Sequence, residues 1–470
     1  MSSGFTVVVA CDDKRGIGRD GSIPWRHPED LRHFARVTKG GAVIMGRVTY
    51  ESLPPRGLPG RKLVVLTRSK TWTAPDHDIC VVHSVDDAVI EAMRDHDRSR
   101  VFVAGGEAVY RAFLDRGLIR TAIVTRVAGD HKCDRQFPDL QQHFTIACDI
   151  ESGLDPDLRY ETHVARNNPY ENQYLELVCR AIETGVLRGD RTGTGTRSLF
   201  GESIRFDLSE GTLPLLTTKR VFWRGVVEEL LWFLRGDTSA LALAQRGVHI
   251  WDANGSREFL DQRGLSGYTV GELGPVYGHQ WRHFNKPYTP TGTNDPETKG
   301  DTKEDGNGRY ADQVRYVIDL LRKEPTTRRA LISAWNPNQM AEMALPPCHV
   351  SYQFIIGNNK DLHCVTYQRS GDLGLGIPFN IASAALLTHL VARATGTTAK
   401  GLVLNIGDAH VYENHVAPLK RQLQRVPRIF PTIKFSSDAP KYAIWDTIPE
   451  QIHLCNYAPC KGRIEMKMAV

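Results

Sequence analysis

Ala344-Leu345-Pro346-Pro347-Cys348-His349, followed by Tyr367-Gln368-Arg369-Ser370-Gly371-Asp372 and Ile377-Pro378-Phe379-Asn380, is the stretch on which the reading of this chain turns. A thiol followed by a guanidinium, a hydroxyl, a carboxylate and an amide is a kit for attacking a phosphorylated, amide-bearing ring. Sulfur attacks only as thiolate, so the neighbours of Cys348 should be cationic or should donate hydrogen bonds.

Working outward, the pattern Val226–Leu234 reads as a helix stopped by Gly236. It places Glu229 on the apolar stripe with Val226 and Phe233, whereas Glu228 faces Arg224. A carboxylate on an apolar face is costly unless it has a task. On this pattern alone, core hydrogen bonding and catalysis weigh equally for Glu229. An amphipathic helix over Tyr174–Ile182, closed by Gly185, opens this half, and Tyr310–Lys323 resumes helical spacing. Thr289–Gly308 holds no large aliphatic side chain and reads as a solvated insertion.

The first third alternates short apolar runs with helical patterns. The runs are Thr6–Ala10, Ala42–Met45, Leu63–Leu66, Ile79–Val82, Phe102–Ala104 and Ala122–Val127, with Arg159–Ala165 as a last strand. Continuous apolar strands between helices predict a largely parallel sheet covered on both faces. In Pro28-Glu29-Asp30-Leu31-Arg32-His33-Phe34, helical phase puts Asp30 with Phe34 and Val37, and Glu29 with Arg32, His33 and Arg36. Taken alone, an acid in a first helical turn answers to the helix dipole. Gly41 and Gly46-Arg47 have the spacing of a phosphate loop but lack its lysine and enclose a strand.

The chain has 470 residues, too many for one compact core, so two or three domains are expected. A hydrophobic fraction of 41% and a charged fraction of 24% predict an ordinary soluble globular protein. The net charge of +5 suits small anionic substrates as readily as nucleic acid. Nine scattered cysteines and a start that runs directly into Phe5–Cys11 predict reduced thiols and a cytoplasmic setting. No apolar run is read as long enough to cross a membrane. Cys455 and Cys460 lack the second ligand pair of a metal site, and no metal is expected.

The motif set around Cys348 resembles thymidylate synthase, from about Tyr170 to Val470, and the chain from about Phe5 to Arg166 resembles dihydrofolate reductase. Together they resemble the bifunctional dihydrofolate reductase–thymidylate synthase family of protists and plants. The resemblance implies an α/β reductase domain (1–166) with a mostly parallel central sheet, a linker (167–169) and an α+β synthase domain (170–470). Cys348 would attack C6 of dUMP. Arg191, Arg369 and Ser370, with Arg328 and Arg329 donated across a homodimer interface, would hold its phosphate. Read alone, Arg328-Arg329 is a solvated charge pair. Asn380 and Gln368 would bind the base and its surroundings, His410 and Tyr412 the ribose. Glu229 would serve proton transfer, and Asp372, Tyr277, Trp251 and Asn254 would take folate-side or proton-transfer positions. His349 reads as structural. The co-substrate would be 5,10-methylenetetrahydrofolate.

In the reductase half, Ile17-Gly18-Arg19-Asp20-Gly21-Ser22-Ile23-Pro24-Trp25 resembles the family's substrate loop. Asp30 would then bind the pterin and help protonate N5, with Thr125 supporting it. Phe34 and Leu58 would flank dihydrofolate and Arg61 would grip its glutamate. NADPH would lie against Ala10, Ile17, Gly18, Gly46, Arg47, Thr49, Thr67, Arg68, Gly105, Gly106, Glu107 and Tyr110, with phosphates at helix starts. The chain departs from the family at Ala104, usually a larger branched residue, and at Cys460, usually histidine; Tyr457 matches a ribose contact. The net charge also leaves RNA binding open, but no aromatic-interleaved basic stripe supports it.

Overall fold

The first half of the chain winds an eight-stranded sheet, seen in a computed structural model that describes residues 4–54, 57–75, 78–141, 143–166, 168–189, 193–290 and 312–468. Its elements run β1 (Phe5–Asp12), β2 (Gly16–Gly18), α1 (Pro28–Thr38), β3 (Ala42–Gly46), α2 (Arg47–Glu51), β4 (Lys62–Leu66), β5 (Cys80–Val82), α3 (Val85–Met93), β6 (Val101–Val103), α4 (Glu107–Asp115), β7 (Ile119–Val127), β8 (Arg135–Gln136), β9 (Phe144–Glu151) and β10 (Leu158–Ala165). The order is β5-β4-β3-β6-β1-β7-β10-β9, parallel through β7 and antiparallel at β10 and β9. Alternate β1 side chains feed opposite cores: Val7 and Val9 pack with Phe113 and Ile119, Val8 with Val43, Met45 and Phe102. Both faces are therefore covered, as the unbroken apolar runs predict. The edge strand β9 has no such run, because all but Phe144 of its residues are exposed.

The second half contains α5 (Pro169–Thr184), β11 (Val186–Arg188), β12 (Thr196–Asp207), α6 (Trp223–Arg235), α7 (Ala240–Gln245), α8 (Arg257–Gln262), α9 (Tyr277–Arg282), α10 (Gln313–Lys323), β13 (Leu331–Ser333), β14 (His349–Ile356), β15 (Asp361–Asp372), α11 (Gly376–Thr395), β16 (Thr398–Tyr412), α12 (Val416–Gln422), β17 (Thr432–Phe435) and β18 (Ile452–Cys455). Six strands form a mixed sheet in the order β11-β12-β16-β15-β14-β13, with β15 and β16 parallel. Asn168 caps α5 by accepting from Glu171 N, and Pro169 fills the first turn. Gly236 ends α6 at φ 81°, a left-handed C-cap. Contrary to the sequence reading, one helix among the described residues is long and apolar enough to cross a bilayer: α11, 20 residues with 78% of its apolar window buried. It packs on β15, β16 and α6 inside the synthase core.

Glu171, fully buried, is a structural carboxylate. It accepts from the N–H and hydroxyl groups of Thr217 and Thr218 at 2.7–3.0 Å. Burial pushes its carboxyl up and these donors oppose the shift. The loop so braced carries Lys219 into the synthase core.

The halves meet where α4 ends. Arg428 donates to the carbonyls of Leu114 at 2.5 Å and Asp115 at 3.1 Å, so a synthase guanidinium caps a reductase helix at its negative end. Lys461 N donates to Asp115 O, and Val426 N to Gly117 O. A Cβ at Gly117 would lie 2.2 Å from Cys460 Sγ. The departure at Cys460 thus falls on this seam, where a compact buried residue fits. Tyr457 donates to Leu216 O and accepts from Val221 N, both at 2.9 Å, so its hydroxyl anchors the tail segment.

Candidate active sites

Cys348 stands immediately before β14, where the strand register brings it beside the end of β15. The Tyr277 hydroxyl, carried by α9, accepts from Cys348 N at 2.7 Å and His349 N at 3.4 Å. Arg369 donates Nε to Pro347 O at 2.8 Å and Nη2 to Pro346 O at 2.9 Å, and lies 3.8 Å from Cys348 Sγ. One guanidinium therefore fixes the proline turn and places a positive charge beside the sulfur. Burial pushes the thiol up, and Arg369 pulls the other way.

Glu229 points from α6 toward the same pocket. Its Oε1 accepts from Trp251 Nε1 at 2.7 Å. Burial pushes its carboxyl up to about 7, although the Trp251 bond favours the ionised form. The neighbouring Glu228 does not pair with Arg224: its partner is Arg246, at 3.3 Å, while Arg224 donates to Arg246 O. Helical phase sees only residues on its own helix, and the closer cation follows α7.

Asn380, His349 and Tyr352 are braced in series. Asn380 Nδ2 donates to His349 Nε2, and His349 Nδ1 meets Tyr352 Oη at 3.0 Å. Burial lowers His349 to about 4, so it stays neutral and acts as a spacer. Gln368 donates to Ser370 O at 3.0 Å, while its buried Oε1 has no hydrogen-bond partner. His410 and Tyr412 stack edge to face at 5.2 Å on the end of β16, and Asn254 is buried near Trp251. Arg328 and Arg329 are exposed, Arg329 pairing with Glu324 at 2.8 Å, and lie just before β13 at the sheet edge. Arg191, and residues 291–308 of the insertion, lie outside the described residues.

Two groups here carry no sequence signal. Asp372 accepts from Gly374 N at 2.7 Å and Leu375 N at 3.1 Å and lies 3.6 Å from His415 Nδ1. Burial works to raise Asp372, but His415 and these N–H groups win and hold it below the usual range. Lys219 donates to Gly374 O, and burial brings its amine down to about 8 with Asp372 opposing. Neither Lys219 nor the fully buried His415 lies in a periodic segment. His415 Nε2 also meets Lys467 O at 2.7 Å, tying the carboxy-terminal segment to this cluster.

In the reductase half, the expected ligand groups gather at the carboxyl ends of adjacent parallel strands, where open α/β sheets bind ligands. Gly46 ends β3, Thr67 and Arg68 follow β4, Gly105-Gly106 follow β6, and Ala10 on β1 pairs with Thr125 on β7. Ile17 and Gly18 are held by β2–β8 pairing. Added Cβ atoms would meet Val109 at 3.2 Å from Gly46, Tyr110 at 3.1 Å from Gly105 and Thr49 Oγ1 at 3.3 Å from Gly106. Gly46 and Gly106 are also helix N-caps with no side-chain capping bond, so N–H groups of α2 and α4 are left for an anion. A dinucleotide phosphate backbone fits this cradle. Tyr110 donates to Val8 O at 2.9 Å; Glu107 turns to Arg111 and Gln136 N; Arg47 and Arg68 are exposed.

Asp30 is half-buried on α1, and burial pushes its carboxyl up while the Thr125 hydroxyl, His33 and His27 oppose. Glu29 differs from expectation: its carboxylate accepts from Ser152 Oγ at 2.8 Å, a residue after β9, and not from Arg32, His33 or Arg36. Phe34 and Leu58 are partly buried against one core cluster. Arg61 reaches back to Thr38 Oγ1 at 3.1 Å.

Comparison with known proteins follows the same division. Residues 4–166 match the dihydrofolate reductase family model and residues 172–470 the thymidylate synthase family model. The chain is 43% identical to the bifunctional dihydrofolate reductase-thymidylate synthase of Leishmania major over 513 residues, covering 99% of this chain and 95% of that protein. It is 40% identical to the protein of that name from Paramecium tetraurelia, with 99% of each chain covered. For the Zea mays protein of that name the identity is 39%, over 99% of this chain and 97% of the other.

Proposed function

The chain belongs to the bifunctional dihydrofolate reductase–thymidylate synthase family, and from that premise we propose how its residues divide two consecutive reactions. It is an oxidoreductase and a methyltransferase: one half converts dUMP to dTMP with reductive methylation from 5,10-methylenetetrahydrofolate, the other reduces the resulting dihydrofolate with NADPH. The observation that carries the synthase assignment is Cys348 held by Tyr277 and flanked by Arg369, with Glu229 buried and Asp372 partly buried nearby. Arg369 favours the thiolate that adds to C6 of dUMP. Asn380, oriented through His349, presents its amide to the N3–H and O4 edge. Glu229 exchanges a proton at the pyrimidine carbonyl, and Cys348 leaves again once the methyl group is complete.

In the reductase, NADPH supplies hydride when bound. Gly46, Gly105 and Gly106 let the backbone close on its phosphates, and Arg47 and Arg68 add positive charge. Asp30 holds the pterin and moves a proton toward N5, and Thr125 fixes the carboxyl. The test is to supply dUMP, methylenetetrahydrofolate and NADPH together. NADPH should be oxidised one-for-one with dTMP formed, and omitting dUMP should stop both; dTMP without NADPH oxidation would overturn the coupling.

We propose a homodimer through the synthase sheet. Register places Leu331, Ile355 and Tyr367 on one face, 42%, 36% and 45% exposed, opposite the buried Ile332, Phe354 and Cys364. Ser351, Gln353 and His363 share this face, and a mixed face of this kind suits a second copy of the chain, with Arg328 and Arg329 beside it for the neighbouring site. Sedimentation should give twice the chain mass. Leu331→Glu with Tyr367→Glu should yield monomers without synthase activity; a fully active monomer would sink the proposal. All nine cysteines are free, which supports placing the protein in the cytoplasm.

Glu229 gives a pH signature. Its folded value of about 7 lies above the ordinary 4.5, so the fold favours the protonated acid. That contribution is complete below about 4.5 and lost as pH rises through about 7. Glu229→Gln should flatten this fall in thermal midpoint and remove a limb near neutrality from the synthase pH–rate profile. An unchanged limb would assign it to another group.

A further inference from the structure

Outside both catalytic pockets, a cleft of about 340 Å³ opens between the halves beside the end of α4. Arg116 lines it from the reductase, Arg421 and Arg425 from α12 and the turn after it, and Lys461 and Arg463 from the segment following β18. Two carboxylates share the wall, and both are already paired: Asp86 with Arg116 at 2.5 Å and Asp115 with Lys461 at 2.9 Å. Five cations face two lining anions, and Arg463 also pairs with Glu465 at 3.4 Å, which leaves a surplus of two positive charges.

This surplus is built in. Arg425 is buried and is held by its bonds to Thr218 O and Gly462 O, each 2.7 Å. Arg116 Nε is buried with no hydrogen-bond partner. A Cβ at Gly462 would meet Arg425 Nη2 at 3.2 Å and Arg116 Nε at 3.6 Å, so guanidinium groups from both halves approach one point, at a glycine with φ 90°. A monocarboxylate would offset only one of the two surplus charges; a phosphate-bearing anion offsets both and offers acceptors in several directions.

We propose that this interdomain cleft binds a small phosphate-bearing anion that bridges the reductase and synthase halves. The site uses none of the groups assigned to either reaction, and rests on the proposed function only in the choice of blocking ligands. Pyrophosphate is the probe, titrated calorimetrically at constant ionic strength into the full chain saturated with dUMP and NADPH, which occupy the phosphate positions of the two pockets. One saturable site per chain is expected. Arg421→Glu should weaken it about tenfold or more and Arg421→Lys by no more than about threefold. Both variants should keep dTMP formation and NADPH oxidation unchanged without pyrophosphate. Absence of a saturable site, or equal affinity in Arg421→Glu, would overturn the proposal. Additional sites insensitive to Arg421→Glu would count against the pocket assignments, not against the cleft.

Discussion

Replacing Cys348 by serine is expected to abolish dTMP formation while leaving NADPH oxidation with dihydrofolate intact. The hydroxyl replaces the sulfur with little change of shape, so Tyr277, Arg369 and the proline turn should keep their places. Chemistry, not packing, decides the outcome. Burial already raises the Cys348 thiol, and the single guanidinium at 3.8 Å only partly restores the thiolate. A serine hydroxyl, several orders of magnitude less acidic, has no base within this arrangement to ionise it. A loss of about 10³-fold or more follows. The direct readout is a covalent complex with 5-fluoro-dUMP and methylenetetrahydrofolate that survives denaturation: formed by the parent chain, absent in the variant. If both activities vanished together, the halves would not be chemically separate.

How far such sites are legible in the sequence depends on what holds each residue. Glu229 stands out because an acid on an apolar helical stripe breaks a 3.6-residue pattern, whereas Asp30, in a first helical turn, takes its role only from the resemblance of Ile17–Trp25 upstream; burial raises both carboxyl groups. Strands β1, β3 and β4 are visible because both their faces are covered. β9 is not: it is held by pairing with β10, and nearly all its side chains face water. Glu29 and Glu228 are misassigned for a common reason. Their partners, Ser152 and Arg246, come from other elements, beyond the reach of a helical wheel. Lys219 and His415 sit in irregular segments and become meaningful only when the fold gathers them around Asp372 and Gly374. The seam at α4 is invisible for the same reason, since Arg428 and Leu114 are neighbours only in three dimensions.

For Asp30→Asn the activities should separate in the other direction: reductase turnover collapses at neutral pH and dTMP formation persists. The amide keeps an acceptor for the Thr125 hydroxyl, so the helix and pocket should survive, but it can neither hold a negative charge against the pterin nor deliver a proton. Loss of a positioned proton donor is worth about 10²–10⁴-fold. The sign of the pH dependence distinguishes this role from a structural one. In the parent chain, burial keeps Asp30 protonated to higher pH than an exposed carboxylic acid, so its rate should fall as pH rises above that raised value. In the variant the proton must come from solvent, so the residual rate should climb steadily as pH is lowered and show no plateau set by a carboxyl group. A merely structural loss would lower the rate by one factor at every pH and preserve the parent profile. Stability moves oppositely to activity. Ionised Asp30 is disfavoured by the fold, a penalty absent below the unfolded carboxyl's pKa and complete above the folded one. A neutral amide at this position carries no such penalty, so the variant's thermal midpoint should exceed the parent's at alkaline pH and converge with it in acid.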